Sequence, residues 1–363
     1  MQVNVYLRSS RNTYGAERYA LSIWEVLTSH RIHCSIRYLT SSHLLIPTLF
    51  QLLISLFKHS YSKCQQSVDI YQFPFHPFRI THSRLRTVII VFHHADITGG
   101  TVLSRLSEFY GLMTLRFLPA TTKFVVVSEY WQRYLYNKGF TNINLIRNSI
   151  PLKLSTTSSD SKCFDPDPSY QFSSTFLSDN FSIYLGIARS SKGWAKISRT
   201  VRRYFPNAEI WLSSSSPSPK FTRKESKILY DCKIQVKSIP NTTDFYSQLK
   251  NVSLSIHNSQ FKEGWNRTLV ETALLSNSIT LCSHDGGMID VANIIPWIVP
   301  YANCGILEDH LRSISQPYQY NEQLRICLSE KTIALPQVLD LLSAEYFSKS
   351  WIDLLETLCI KSQ

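Results

Sequence analysis

Short apolar, strand-type runs alternate along the chain with helix-length amphipathic segments. "VNVYL" (3–7) precedes a helical pattern at about 15–29, and "CSIRYL" (34–39) precedes another at 44–60. "VDIYQF" (68–73) and "TVIIVF" (87–92) follow, with a helix predicted at about 101–118. "KFVVVS" (123–128) leads into the helical "EYWQRYLYNKG", and "INLIRN" closes the series. Strand–helix alternation of this kind predicts a parallel sheet covered on both faces.

Residues 150–180 break this rhythm. The stretch is rich in serine and proline and has no period, which predicts a linker. Its "DPDP" (165–168) has a metal-binding spacing but lies between prolines with no strand before it, and reads as loop. A second series then begins: "SIYLGI", a helix from about 191, "AEIWLS", "KIQVKS", a helix at 242–250, "VSLSIH", the segment 263–275, and "SITLCS". The expected fold class is therefore α/β, with two Rossmann-like doubly wound domains, 1–150 and 181–345, joined by the 151–180 linker. Two such domains would aim the carboxyl ends of their strands at a shared cleft, where open α/β sheets take ligands. A last amphipathic helix, 346–363, is expected to cross back to the first domain.

Composition narrows this little. At 363 residues, 44% hydrophobic and 18% charged, the chain can bury two ordinary cores and is not of disordered type. Its net charge of +12 favours an anionic partner. The eight cysteines are scattered without a C-x-x-C pair, against a zinc site or a disulfide framework, and read as reduced thiols of a cytoplasmic protein. No secretory h-region is visible at the start, and the 14-residue run "LLIPTLFQLLISLF" (44–57) is too short to span a bilayer. It reads as a core or surface-docking helix.

The chemistry concentrates in "EGWNRTLVETALL" (263–275), where Glu263 and Glu271 stand in a segment that otherwise looks like a buried helix. Two helical residues eight apart lie about 80° apart around the axis and about 12 Å along it, too far for one small group to meet both carboxylates. If the helix begins at Gly264, Glu263 precedes it and Glu271 lies two turns in. A long ligand then touches a carboxylate near each end, with first-turn amides, which favour phosphate, facing its middle. Hydroxyls at both ends and a diphosphate between them describe a nucleotide sugar.

The segment resembles the E-x7-E signature of retaining glycosyltransferases of the GT-B fold, glycosyltransferase family 4 in particular. The resemblance implies that Glu263 contacts the donor sugar hydroxyls and that Glu271 binds the ribose diol, with Gly264, Trp265 and Asn266 completing the donor contacts. Trp265, Asn266 and Arg267 stand where phenylalanine, glycine and leucine are commoner. An isolated pair of glutamates would read as a solvated helix face; further matches in the same chain order decide against that.

"YGAERYALSIWEVL" (14–27) is similar to the family's glycine turn and helix, with Gly15 and Glu17 matching and Tyr14 in place of the first glycine. "VIIVFHHAD" (88–96) resembles the strand ending in the active-site histidine, which implies that His93 rather than His94 approaches the transferred sugar. Ser128, Glu129 and Asn148 match the close of the first domain, with Ser149 where glycine is usual. "LGIARSSKGW" (185–194) resembles the segment that neutralises the donor diphosphate: Gly186, Lys192 and Gly193 match in spacing. Ile187 stands where the family has arginine, leaving Arg189 as the candidate cation. Gly286 and Gly287 match the glycine pair that lets backbone approach the donor, and "YFSKSWIDLLETL" (346–358) is similar to the last helix.

The resemblance implies transfer of a sugar from a nucleoside diphosphate sugar to an acceptor hydroxyl with retained configuration. Lys192, His93 and Glu263 would form the catalytic set, and no metal or other cofactor is required. Ile187 and Ser149 keep open a second reading, a GT-B protein that binds nucleotide sugar or glycan without turnover. A nicotinamide oxidoreductase would need a G-x-G-x-x-G turn, which is absent, and a nucleic-acid binder would cluster its basic residues, which here are dispersed. The positive charge and the 44–57 segment are compatible with a glycan or lipid-linked acceptor and with peripheral association at the inner membrane face.

Overall fold

The computed structural model describes residues 2–7, 15–38, 67–73, 86–93, 121–150, 181–239 and 241–360, with single positions between 109 and 118. The segments expected as a helix at 44–60, most of a helix at 101–118 and a linker at 151–180, together with Tyr14 and His94, lie outside the described residues. The chain divides into two compact units, Met1–Ser149 with Ala344–Gln363, and Ile150–Ser343.

The first unit contains β1 (Gln2–Leu7), α1 (Gly15–Ser29), β2 (Cys34–Tyr38), β3 (Ser67–Phe73), β4 (Arg86–Phe92), β5 (Lys123–Val126), α2 (Glu129–Asn137) and β6 (Ile143–Leu145). Its six strands pair in parallel in the order β2-β1-β3-β4-β5-β6. All seven residues of β3 are buried, as a central strand covered on both faces demands. Within this core Asn4 donates to Asp69 at 2.7 Å and accepts from the Ser35 hydroxyl at 2.8 Å. On one face Phe92, Trp131, Leu135, Phe124 and Phe140 form one apolar cluster.

The second unit runs β7 (Ser182–Ile187), a 3₁₀ turn (Ser190–Lys192), α3 (Trp194–Tyr204), β8 (Glu209–Ser214), α4 (Arg223–Asp231), β9 (Ile234–Ser238), α5 (Thr242–Leu249) and β10 (Leu254–His257). It continues with α6 (Arg267–Leu275), β11 (Ile279–Ser283), α7 (Gly287–Ile294), β12 (Ile298–Tyr301), α8 (Cys304–Ile314) and α9 (Pro317–Leu341). α10 (Ala344–Ile360) belongs to the first unit, where Tyr19 of α1 meets Phe347 edge to face at 5.3 Å.

The second sheet is also parallel throughout, in the order β12-β11-β10-β7-β8-β9. Read from its other edge this is the doubly wound order in which the winding direction reverses once, between β7 and β10. Ligands of open α/β sheets bind outside the carboxyl ends of the strands at such a reversal. Here those ends are Gly186–Ile187 and His257. Among the described residues no helix is long and apolar enough to cross a membrane.

Candidate active site

The carboxyl ends of β7 and β10 open onto a narrow recess, lined among others by Gly186, Ile187, Lys192, His257, Asn258 and Asn266. Each wall has a local cause. Gly186 adopts φ +87°, a conformation that penalises any side chain, where the β7–β8 register shifts between Tyr184 and Ile187. The chain then turns through the 3₁₀ segment, whose last residue is Lys192, stabilised by the Lys192 amide donating to the Arg189 carbonyl at 2.9 Å.

Lys192 Nζ donates to Glu263 Oε1 at 2.5 Å, and both side chains are mostly buried, 17% and 7% exposed. The ammonium also lies 5.7 Å from the centre of the Phe261 ring. Glu263 is itself fixed through its backbone. Its carbonyl accepts from the Gly287 amide at 2.8 Å, and a Cβ on Gly286, at φ +58°, would come within 2.7 Å of the Glu263 nitrogen. The glycine pair thus brings two protein segments into close contact, and the Gly287 amide is already used in doing so. Lys262 and Asp285 form a further ion pair beside this crossing.

The helix that follows starts later than a Gly264 start would place it. α6 begins at Arg267 with Asn266 as its cap: Asn266 Oδ1 accepts from the Leu269 amide at 3.0 Å. The Arg267 amide bonds back to the Trp265 carbonyl at 3.0 Å, so two amides expected to face a phosphate are satisfied within the protein. Gly264 and Trp265 are buried in the loop between Glu263 and the cap, and the Trp265 indole nitrogen has no hydrogen-bond partner among the described residues.

Glu271, buried at 5% exposure, sits on α6 and accepts through Oε1 from Arg267 Nε at 2.7 Å and from the Tyr246 hydroxyl at 3.1 Å. Burial lowers the Arg267 pKa, but Glu271 and Tyr246 outweigh it and raise it overall. Burial and Glu271 push the Tyr246 phenol up to about 12.

His257, which sequence reasoning missed, closes the recess at the end of β10. It is 3% exposed and its Nε2 has no partner among the described residues. Burial, with the Lys192 charge added, holds its pKa down at about 3. The signal was available: a polar residue ending an apolar strand at a carboxyl end is placed where ligands bind.

The structure therefore brings Lys192, Glu263, Gly186 and Asn266 together around one recess or its rim, with Glu271 further along α6. Arg189 is exposed at the 3₁₀ turn, and Ile187 is half-buried in the recess wall. His93 and Gly15 belong to the first unit. His93 follows β4, is 6% exposed, meets Gln72 Oε1 through Nε2 at 2.7 Å and packs edge-on against Tyr19 at 5.2 Å. Gly15 opens α1.

No family model matches the chain, and no curated protein matches it. Solved structures do. A sucrose-phosphate synthase from Thermosynechococcus elongatus superposes with a TM-score of 0.71 at 12% identity, covering 99% of both chains. The Anabaena protein HepE, in complex with UDP-glucose, gives 0.65 at 11% identity over 98% of this chain and all of its own. A glycosyltransferase from Rickettsia africae gives 0.60 at 14% identity over 99% and 98%. Two parallel α/β units in one chain, matching these glycosyltransferases, establish the GT-B fold.

Proposed function

We propose that the chain is a retaining, metal-independent glycosyltransferase of the family 4 type, which takes a nucleoside diphosphate sugar through its second unit. The observation that carries this reading is the Lys192–Glu263 pair at the β7–β10 reversal. A buried cation and a buried carboxylate, each held by the other, stand where a doubly wound sheet takes its ligand. Such a pair costs desolvation that a hydrophobic substitution would avoid, which favours a functional reason for its presence.

In the proposed reaction negative charge builds on the departing diphosphate while the sugar becomes oxocarbenium-like. Lys192, with Arg189 from the exposed turn, supplies fixed positive charge for that developing anion, and Glu263 accepts from the sugar hydroxyls. The leaving phosphate takes the acceptor proton, so no side-chain base is assigned. Glu271 holds the ribose, and His93 of the first unit is assigned to the transferred sugar. The structures similar in fold include one bound to UDP-glucose, which makes a UDP-sugar the first donor to try.

The test is slow hydrolysis of donor without acceptor. UDP-, GDP- and ADP-glucose are incubated with the protein and the freed sugar is followed by proton NMR before it mutarotates. An α-linked donor is expected to release the α anomer first, and Glu263→Gln to slow release by at least about 100-fold. Release of the β anomer contradicts the retaining assignment; binding of donor with no release or transfer favours the non-catalytic GT-B reading, which Ile187 in place of arginine supports.

A further inference from the structure

We propose that Arg267 and Tyr246 make the ribose end of this site read a single hydroxyl, so that the protein accepts one of the two deoxyribose forms of its nucleotide as readily as the ribose form. This rests on the nucleotide-sugar reading above and adds a specificity to it.

The inference comes from how Glu271 is occupied. A carboxylate offers about four lone-pair directions, two on each oxygen. Arg267 Nε and the Tyr246 hydroxyl both donate to the same oxygen, Oε1, at 2.7 and 3.1 Å. That oxygen is saturated, while Oε2 has no hydrogen-bond partner among the described residues. A vicinal diol facing an unencumbered carboxylate donates one hydroxyl to each oxygen. Here Oε1 is filled, so the arrangement with one hydroxyl on each oxygen is closed and only Oε2 remains to accept.

Neither donor withdraws easily. Arg267 lies one turn before Glu271 on α6 and its side chain is only 21% exposed. It keeps its charge at any pH the protein survives. Tyr246 reaches across from α5, and its phenol, pushed up to about 12, remains a donor at neutral pH. The resemblance places leucine where Arg267 stands, a side chain that would leave Oε1 free on that side.

The experiment compares the affinities of UDP, 2′-deoxy-UDP and 3′-deoxy-UDP for the wild-type protein by calorimetry, with the GDP series alongside. One deoxy form is expected to bind within about threefold of the parent, and the other to lose about tenfold or more, the size of a hydrogen bond to a charged acceptor. Arg267→Met frees Oε1, so the second hydroxyl comes to count and both deoxy forms lose affinity. Arg267→Lys keeps a donor on that side and retains the wild-type selectivity. Equal losses for the two deoxy forms in the wild type, or no loss for either, overturn the inference while leaving nucleotide binding intact. Failure of every parent nucleotide to bind overturns the nucleotide-sugar reading itself, and this inference with it.

Discussion

Single residues in the second unit carry opposite electrostatic roles within one recess. Lys192 and Glu263 are paired with each other, whereas His257, beside Lys192 and with no partner for its Nε2 among the described residues, is held neutral. The consequence for stability follows from the direction of its shift. Free histidine protonates near 6.5, but the folded protein resists until about 3, so the unfolded chain binds the extra proton across that window. The contribution of a neutral His257 is intact above pH 6.5 and is lost progressively as pH falls toward 3, at up to about 1.4 kcal/mol per pH unit. Urea unfolding between pH 7.5 and 5 is expected to show a steeper fall for wild type than for His257→Asn. Parallel curves would mean that the imidazole protonates freely in the fold. Lys192 and Glu263 could be found from spacing because their residue types and positions repeat a known pattern. The Arg267–Glu271 contact could not, since arginine and glutamate four apart on a helix are commonplace and only burial beside Tyr246 gives this pair its meaning.

At the scale of elements, strands were easier to foresee than helices. β4 reads directly as an apolar run, Val88 to Phe92, because a sheet covered on both faces buries both sides of its strands, and β3 is buried along its length although Ser67, Asp69 and Gln72 interrupt its apolar pattern. α4 escaped notice because its residues are largely charged, although its start carries a capping box: the Thr222 hydroxyl accepts from the Glu225 amide at 3.3 Å and the Glu225 carboxylate accepts from the Thr222 amide at 2.8 Å. α9 lacks a clear apolar stripe and includes Pro336, which hides a 25-residue helix from periodicity. α6 starts at Arg267 rather than Gly264 because Asn266, at a position where the resemblance has glycine, caps the helix. These two caps separate structure from function. Asn266→Ala and Thr222→Ala are each expected to cost about 1 kcal/mol of stability. Only Asn266→Ala, whose cap lies at the recess, is expected to weaken nucleotide binding as well. Equal effects of the two on binding would show that α6 has no special part in the site.

For the molecule as a whole, strand–helix alternation announced two parallel sheets, but not their strand orders. Order depends on which crossover reverses direction, a choice made by packing between elements far apart in sequence. The first sheet reverses after β2 and the second after β9, and the second reversal sets β7 against β10. Gly186 and His257, 71 positions apart in the chain, become neighbours around one recess for that reason alone. The excess of cations, +12 overall, is consistent with a diphosphate ligand, yet only Lys192 among the described residues of that recess is charged. The central claim is thus that one lysine at one strand reversal secures a nucleoside diphosphate. Thermal unfolding with UDP, GDP, ADP and CMP, each in wild type and in Lys192→Ala, tests it most directly. A ligand at a hundred times its Kd adds about 2.7 kcal/mol to the folded state. One of the diphosphates is expected to raise the wild-type melting temperature and to leave that of the folded Lys192→Ala protein unmoved; no rise with any of the four, or an equal rise in the variant, would contradict the account.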